Sequence, residues 1–118
     1  MSYDIELQDQ VTKETLQLDT PHHMLGGTYC PGGTTEAHLN VTYNYSPHLV
    51  RVFGEAGIRT IYDMTGADSI PVLELAISGL GNDTDPDYWK PTEGNTKQAL
   101  TQLLALAKMR PDGVWAGD

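Results

Sequence analysis

The chain has 118 residues, of which 39% are hydrophobic and 19% are charged. This is the composition of a folded globular chain, so it excludes disorder and predicts one domain spanning residues 1–118. Sixteen acidic residues outnumber seven basic ones and give a net charge of −9. Such a chain repels nucleic acid and acidic membranes, so neither is expected to bind directly, and a partner with a basic surface is favoured.

The sequence also carries signals about compartment. No apolar run approaches the roughly 18 residues that cross a bilayer. The acidic start, MSYDIELQDQ, lacks the basic and apolar regions of a signal peptide. The lone cysteine, Cys30, allows no internal disulfide and fits a reducing compartment. We therefore expect a cytoplasmic protein.

The first 46 residues have the alternating pattern of strands. Residues 3–8 predict a half-buried strand, and residues 9–13 would close a hairpin to a second strand at residues 16–18. After a turn-rich stretch comes EAHLNVTYNYS, residues 36–46, in which apolar and polar residues alternate almost without fault. This pattern predicts a longer strand with one packed face and one wet face.

From residue 47 the spacing of apolar residues becomes helical. Ser46-Pro47 is a favourable helix start, Thr65 or Ser69 would begin a second helix, and Thr92 or Asn95 a third. The tail VWAGD is expected to fold back, because valine and tryptophan favour burial. Strands followed by helices predict an α+β fold, in which a small antiparallel sheet of three or four strands is packed by about three helices. Residues 1–46 would be mainly β and residues 47–118 mainly α.

Motifs for catalysis or metal binding are weak. The zinc-type ligands His22, His23, Cys30, His38 and His48 do not have the spacing of a finger or ribbon, so no metal site and no catalytic residue is assigned. The glycine-rich segments match no nucleotide-binding motif, although Gly94–Lys97 opens a helix, where backbone N–H groups can hold an anion. No cofactor is predicted.

Recognition residues are easier to nominate. The wet face of the strand at residues 36–46 carries uncharged donors and acceptors, which suit recognition. Tyrosine and tryptophan are preferred anchors of protein interfaces, and YW at residues 88 and 89 lies in an acidic polar loop. The predicted contact residues are His38, Asn40, Thr42, Asn44, Tyr88, Trp89 and Asn95.

Several motifs carry a resemblance that covers about residues 26–118. They are TYNYSP, GIRTIY, TGADSIPVLELAI, YW, TEGN and RPDGVW. Together they resemble a set of small uncharacterised proteins encoded by phages and bacterial genomes. The resemblance brings no established activity or site residue with it. It implies a phage accessory context, in which small acidic proteins often inhibit a host protein in the host cytoplasm.

These observations support three hypotheses of function. The leading one is a non-enzymatic binding protein of phage accessory type, an acidic inhibitor of a host protein involved in defence or nucleic-acid handling. The alternative is a small-molecule binder that sequesters an anionic, nucleotide-like ligand. A weaker alternative is a small hydrolase that uses His38 with an aspartate or glutamate. The strand at residues 3–8 would also expose an edge through which two copies could pair as a homodimer.

Overall fold

The computed structural model describes the backbone of residues 2–25 and 28–118, and the side chains outside residues 23–32. It has the predicted α+β fold, with five strands and three α-helices in the described part of the chain. The strands are β1 (Ser2–Gln8), β2 (Gln17–Leu25), β3 (Thr28–Glu36), β4 (His38–Thr42) and β5 (Val114–Gly117). The helices are α1 (Ser46–Phe53), α2 (Gly66–Ser78) and α3 (Glu93–Met109).

Three of the strands form an antiparallel sheet in the order β4-β1-β5, while β2 and β3 form a separate antiparallel pair. Tyr3 lies opposite Val41 on one side of β1, and Leu7 lies opposite Trp115 on the other. The expected exposed edge at residues 3–8 is therefore wrong, because β1 is the central strand. The hypothesis of a homodimer that pairs through this strand is therefore not supported.

The turn at residues 9–13 forms, closed by an N–H of Asp9 that donates to the carbonyl of Glu14 at 2.8 Å. The predicted hairpin, however, is limited to one bridge between Gln8 and Thr15. The reason is that β4 occupies the same edge of β1, from Ser2 to Glu6, so β2 diverges and pairs with β3 instead.

The two sheets meet at a buried corner made of backbone groups. Leu7 donates its N–H to Ala37, Ala37 donates to Leu16, and Leu16 donates back to Leu7, each at 2.9 Å. All three residues are at least nine-tenths buried. This closed ring satisfies three buried donors and three acceptors where the strands separate.

Two of the helices begin at the predicted capping residues. The hydroxyl of Thr65 accepts the N–H of Asp68, and the hydroxyl of Thr92 accepts the N–H of Asn95, both at 3.0 Å. No described helix is long and apolar enough to cross a membrane. The core lies between the three-stranded sheet and the helices. Its largest fully buried side chains are Trp115, Tyr45, Ile5, Leu7, Leu39, Leu49, Ile58, Ile61, Leu73, Leu100, Leu103 and Leu106.

The tail folds back as expected and becomes β5. Trp115 is fully buried, and its indole N–H donates to the hydroxyl of Ser69 at 2.7 Å. That hydroxyl in turn donates to the carbonyl of Gly66 at 2.8 Å, at the start of α2. The tail thus connects the sheet to α2 through one buried chain of hydrogen bonds.

Candidate functional site

The predicted strand at residues 36–46 is shorter in the structure. β4 ends at Thr42, and Tyr43–Tyr45 form a 3-10 turn that leads into α1. The Thr42 hydroxyl accepts the N–H of Asn44 at 3.2 Å and so caps this turn. The alternation therefore breaks at Thr42, which the pattern places on the wet face but which is 1% exposed, while Tyr45, on the packed face of the pattern, is fully buried as expected.

The structure separates the seven predicted contact residues into two groups. His38 and Asn40 lie on the outer face of β4. The other five lie at the end of β4, where residues 82–91 pack against it; we call residues 82–91 the acidic loop. Those five are Thr42, Asn44, Tyr88, Trp89 and Asn95.

The first group contacts the neighbouring strand β1. The Asn40 amide donates to the hydroxyl of Ser2 at 2.6 Å and to the carboxylate of Asp4 at 2.8 Å. The Nε2 atom of His38 lies 3.6 Å from the same carboxylate. His38 and Asp4 are the pair of groups that the hydrolase hypothesis requires, but they lie on an open sheet face, and neither lines the depressions described below.

In the second group, the hydroxyl of Tyr88 forms hydrogen bonds with backbone groups at the edge of β4, as a neighbouring strand would. Its hydroxyl accepts the backbone N–H of Thr42 at 2.9 Å and donates to the backbone carbonyl of Asn40 at 3.2 Å. Burial raises the pKa of the Tyr88 hydroxyl, which keeps its proton in place for the second bond. One phenol thereby pairs a donor and an acceptor of an otherwise open edge.

Replacing this phenol tests its role. We expect Tyr88→Phe to lower the free energy of unfolding by about 1–3 kcal/mol, because the buried N–H of Thr42 loses its acceptor. Urea denaturation followed by circular dichroism measures the loss. Tyr43→Phe is the matched control, and the prediction is wrong if the two variants lose equal stability.

Asn95, in the first turn of α3, holds the acidic loop in place through side-chain hydrogen bonds. It is 3% exposed, and its side-chain oxygen accepts the N–H of Asp85 at 3.0 Å. Its amide donates to the carbonyls of Asp87 at 3.0 Å and Lys90 at 3.1 Å. Asn95 is therefore a buried positioning residue and not a contact residue, which corrects the prediction. The reason is that its polar atoms are used within the chain.

Trp89 is the predicted contact residue that remains free at its side chain. The residue is 53% exposed, although its backbone is fixed at both ends. Its N–H donates to the carboxylate of Asp87 at 3.1 Å, and its carbonyl accepts the Asn44 amide at 2.9 Å. The ring of Tyr88 packs edge-on against the indole, with centroids 5.0 Å apart. The indole is thus presented to solvent on an ordered support.

The loop that carries the indole is acidic. Asp83 and Asp87 are exposed and Asp85 is half-buried, while Lys90 is the one cationic residue within the loop. The carboxylate of Asp85 accepts the N–H of Asp87 at 2.8 Å, which orders the loop without neutralising it. The loop therefore combines an exposed aromatic ring with an acidic rim.

Two depressions adjoin the acidic loop. A groove of about 580 Å³ runs along the first half of α3 and is lined by Asn82, Thr84, Gly94, Lys97, Gln98, Thr101 and Gln102. A smaller cavity of about 280 Å³ is lined by Tyr45, Thr84, Asp85, Pro86, Tyr88, Asn95 and Gln98. Sequence reasoning missed the groove, although the spacing of Gln98, Thr101 and Gln102 places them on one polar face of a helix.

The start of α3 was a candidate anion site in the sequence. In the structure Gly94 donates its N–H to the carbonyl of Asp83 at 3.1 Å, and Thr96 donates to the carbonyl of Thr92 at 3.1 Å. A Cβ on Gly94 would lie 2.6 Å from the backbone of Asp83, so the loop covers this helix end closely. These N–H groups have protein acceptors, and the hypothesis of an anionic ligand gains no support here.

The candidate metal ligands are dispersed. Among the described residues, no three histidine, cysteine, aspartate or glutamate side chains cluster as metal ligands would. The Nε2 of His48 lies 2.7 Å from the carbonyl of Pro91, and that of His22 lies 2.6 Å from the carbonyl of Glu36. The side chains of His23 and Cys30 lie outside the described residues.

Comparison with known proteins found no matching family model, no matching curated protein and no matching solved structure. The interpretation of the site therefore depends on its own chemistry. That chemistry consists of an exposed indole, an acidic rim and a polar groove, all held by the acidic loop and α3.

Proposed function

We propose that this protein is a non-enzymatic binding protein that attaches to a basic surface of another protein, with Trp89 as the central anchor. The observation that carries the proposal is the exposed indole on a backbone fixed by Asp87 and Asn44. Tryptophan is among the residues most often responsible for binding energy at interfaces. An anchor that is ordered before binding loses little entropy when the partner arrives.

The electrostatics support the same proposal. A net charge of −9 attracts basic surfaces over a distance, and Asp83, Asp85 and Asp87 lie in the loop that carries the anchor. Complementary charge of this kind accelerates encounter and selects the partner, while the desolvated aromatic contact holds the complex. The sequence also resembles phage-encoded proteins. We therefore propose that the partner is a host protein involved in defence or nucleic-acid handling, and that binding inhibits it.

Capture from host lysate tests the proposal. The immobilised wild-type protein is expected to retain a basic partner. Trp89→Ala should lower the affinity for that partner by about thirtyfold or more, the effect of removing a hot-spot residue. The affinity is also expected to fall as salt is raised, because charge complementarity is screened.

Val11→Ala is the matched control for capture. Val11 is a second exposed apolar side chain, 87% exposed in a different loop, so its removal should leave the captured partner unchanged. Retention of the same partner by Trp89→Ala, or an affinity that salt does not alter, would contradict the proposal.

A further inference from the structure

The smaller cavity beside the acidic loop has the size of a pocket for one side chain. Its volume of about 280 Å³ lies just below the range of about 300–1,000 Å³ that holds whole small ligands. Of the residues that line it, Tyr45 and Asn95 are buried, Asp85 and Tyr88 are half-buried, and Gln98 is exposed. The cavity therefore leads from solvent toward the core, with two aromatic residues in its wall.

The polar hydrogens of the buried wall are already bonded within the chain. The hydroxyl of Tyr45 donates to the carbonyl of Tyr88, and that of Tyr88 donates to the carbonyl of Asn40. Both amide hydrogens of Asn95 are donated to carbonyls of the acidic loop. This wall therefore offers aromatic rings to an occupant and has no hydrogen left for an anion.

The charge of the cavity comes from Asp85. Among the described residues that line the cavity, it is the only charged one. Its backbone N–H donates to Asn95 at 3.0 Å, and one oxygen of its carboxylate accepts the N–H of Asp87 at 2.8 Å, so the residue is held in place. The second carboxylate oxygen has no hydrogen-bond partner in the described part of the chain and remains available as an acceptor.

The two tyrosines reinforce this preference for positive charge. Burial raises the pKa of the Tyr45 hydroxyl, and the nearby Tyr88 and the carboxylate of Asp87 raise it further. Burial also raises the pKa of the Tyr88 hydroxyl. Both phenols are therefore neutral at physiological pH, and the faces of such rings attract cations. Carboxylate and rings together stabilise the same kind of occupant.

An arginine side chain fits these groups better than a lysine side chain. Its guanidinium is planar, stacks on aromatic faces and is more weakly hydrated than an ammonium group, so it loses less on leaving water. It also carries five N–H donors in a fixed arrangement. These can supply the free oxygen of Asp85 and the side-chain oxygen of Gln98 at the opening.

We propose that this cavity receives an arginine side chain of the partner protein, with the guanidinium against the ring of Tyr88 and bonded to the carboxylate of Asp85. The inference rests on the proposed function for the existence of a basic partner. It adds a second point of attachment beside Trp89, because the ring of Tyr88 lines the cavity and also packs against the indole, with centroids 5.0 Å apart.

The probe is N-acetyl-arginine methylamide, titrated into the full chain and followed by NMR. We expect it to shift the backbone amide of Asp85 and the side-chain amide of Gln98. The citrulline counterpart has nearly the same shape without the charge and should bind about tenfold more weakly, because it forms neutral hydrogen bonds to the carboxylate in place of charged ones. The lysine counterpart should also bind more weakly than the arginine probe.

Two variants locate the charge that binds the probe. Asp85→Asn keeps an acceptor for the N–H of Asp87 and the backbone bond to Asn95, so it should fold normally, but it should lower the affinity for the arginine probe about tenfold. Asp83→Asn removes the same charge from the same loop outside the cavity, and should lower the affinity by less than about twofold. The melting temperatures of both variants, measured alongside, check that the folds are equally intact.

The inference is overturned if the arginine probe shifts neither amide at millimolar concentration, a result that needs no variant. It is also overturned if the citrulline probe binds equally well, if the lysine probe binds more tightly, or if the two asparagine variants weaken binding equally. Free arginine should bind no more tightly than the blocked probe, because only the side chain enters. Much tighter binding of the free amino acid would assign the cavity to a metabolite and overturn the inference as well.

These outcomes are distinct from failure of the proposed function. Loss of partner capture in Trp89→Ala, with no arginine probe bound in the cavity, would retain the anchor and remove the cavity. Arginine probe bound in the cavity, with capture unaffected in Trp89→Ala, would retain the cavity and remove the anchor.

Discussion

Trp115→Ala is expected to lower the free energy of unfolding by about 3–5 kcal/mol, the cost of truncating a fully buried large side chain. Trp115 is 0% exposed, and its removal would leave a large cavity between β1 and α2. The hydroxyl of Ser69, which is buried, would also lose its donor. For a chain of this size the loss could equal a large part of the total stability.

The effect should extend through β5. The backbone of Trp115 donates its N–H to Met64 at 2.9 Å and accepts the N–H of Asp63 at 2.9 Å, while β5 pairs with β1 on its other side. With the side chain gone, little apolar area holds this short strand in place. Exposure of β1 as an edge should then make the variant prone to self-association.

Urea denaturation of Trp115→Ala against Trp89→Ala gives the matched comparison. Trp89 is 53% exposed, so its truncation should change stability by no more than about 0.5 kcal/mol. Trp115→Phe, which keeps most of the volume, should recover part of the loss. Equal losses in the two alanine variants would show that Trp115 has no special place in the core.

The helices could be predicted from the sequence because their signals are local. Thr65 and Thr92 each precede a helical stripe, and in the structure each accepts the backbone N–H of the residue three positions later. A cap and the side chain that it serves are separated by only three residues, so no knowledge of the distant chain is needed. The burial of Trp115 was predictable for a similar reason, from the chemistry of one residue.

Strand pairing could not be predicted, because it depends on residues far apart in sequence. The segments at residues 3–8 and 16–18 had suitable patterns for a hairpin, and the turn between them forms. Yet β4 and β5 occupy the two edges of β1, so β2 cannot pair along it. The alternating pattern of a strand shows which face is buried but does not show which strand will be its neighbour. The choice is made by the packing of the whole core.

The candidate site was predictable only in part. The polar residues of the loop and strand were recognised as unusual, but polarity alone does not distinguish a contact with a partner from a contact within the chain. Asn95 and Tyr88 illustrate this. The side chain of Asn95 forms hydrogen bonds with the backbone of the acidic loop, and the hydroxyl of Tyr88 forms hydrogen bonds with the backbone of β4. Trp89 differs, because its side chain remains exposed after its backbone groups are satisfied.

Asn95→Ala is the second large effect that we expect. The change removes one acceptor and two donated hydrogen bonds, leaving backbone groups of Asp85, Asp87 and Lys90 without their partner. Some of these groups will find water, so we expect a loss of about 2–3 kcal/mol in the free energy of unfolding. The loss should be concentrated in the acidic loop, because each of these bonds ends there.

Native-state hydrogen exchange can locate this loss. The amide of Asp85 should lose protection in Asn95→Ala, while the amide of Leu7, in the backbone ring, should retain most of it. Asn44→Ala is the graded control: it removes a single exposed bond to the Trp89 carbonyl and should cost about 0.5–1.5 kcal/mol. If protection falls equally at Asp85 and Leu7, Asn95 stabilises the whole fold and not the loop.

Partner capture by Asn95→Ala tests whether Asn95 positions the acidic loop or contacts the partner itself. Asn95 is 3% exposed and cannot form a large contact with a partner, so any effect on partner affinity must act through the acidic loop. We expect Asn95→Ala to weaken capture, because the indole of Trp89 would have to be ordered during binding and not before it. Unchanged affinity in a variant with a loosened loop would mean that the exposed ring binds without its ordered support, and that the hydrogen bonds beneath it serve stability alone.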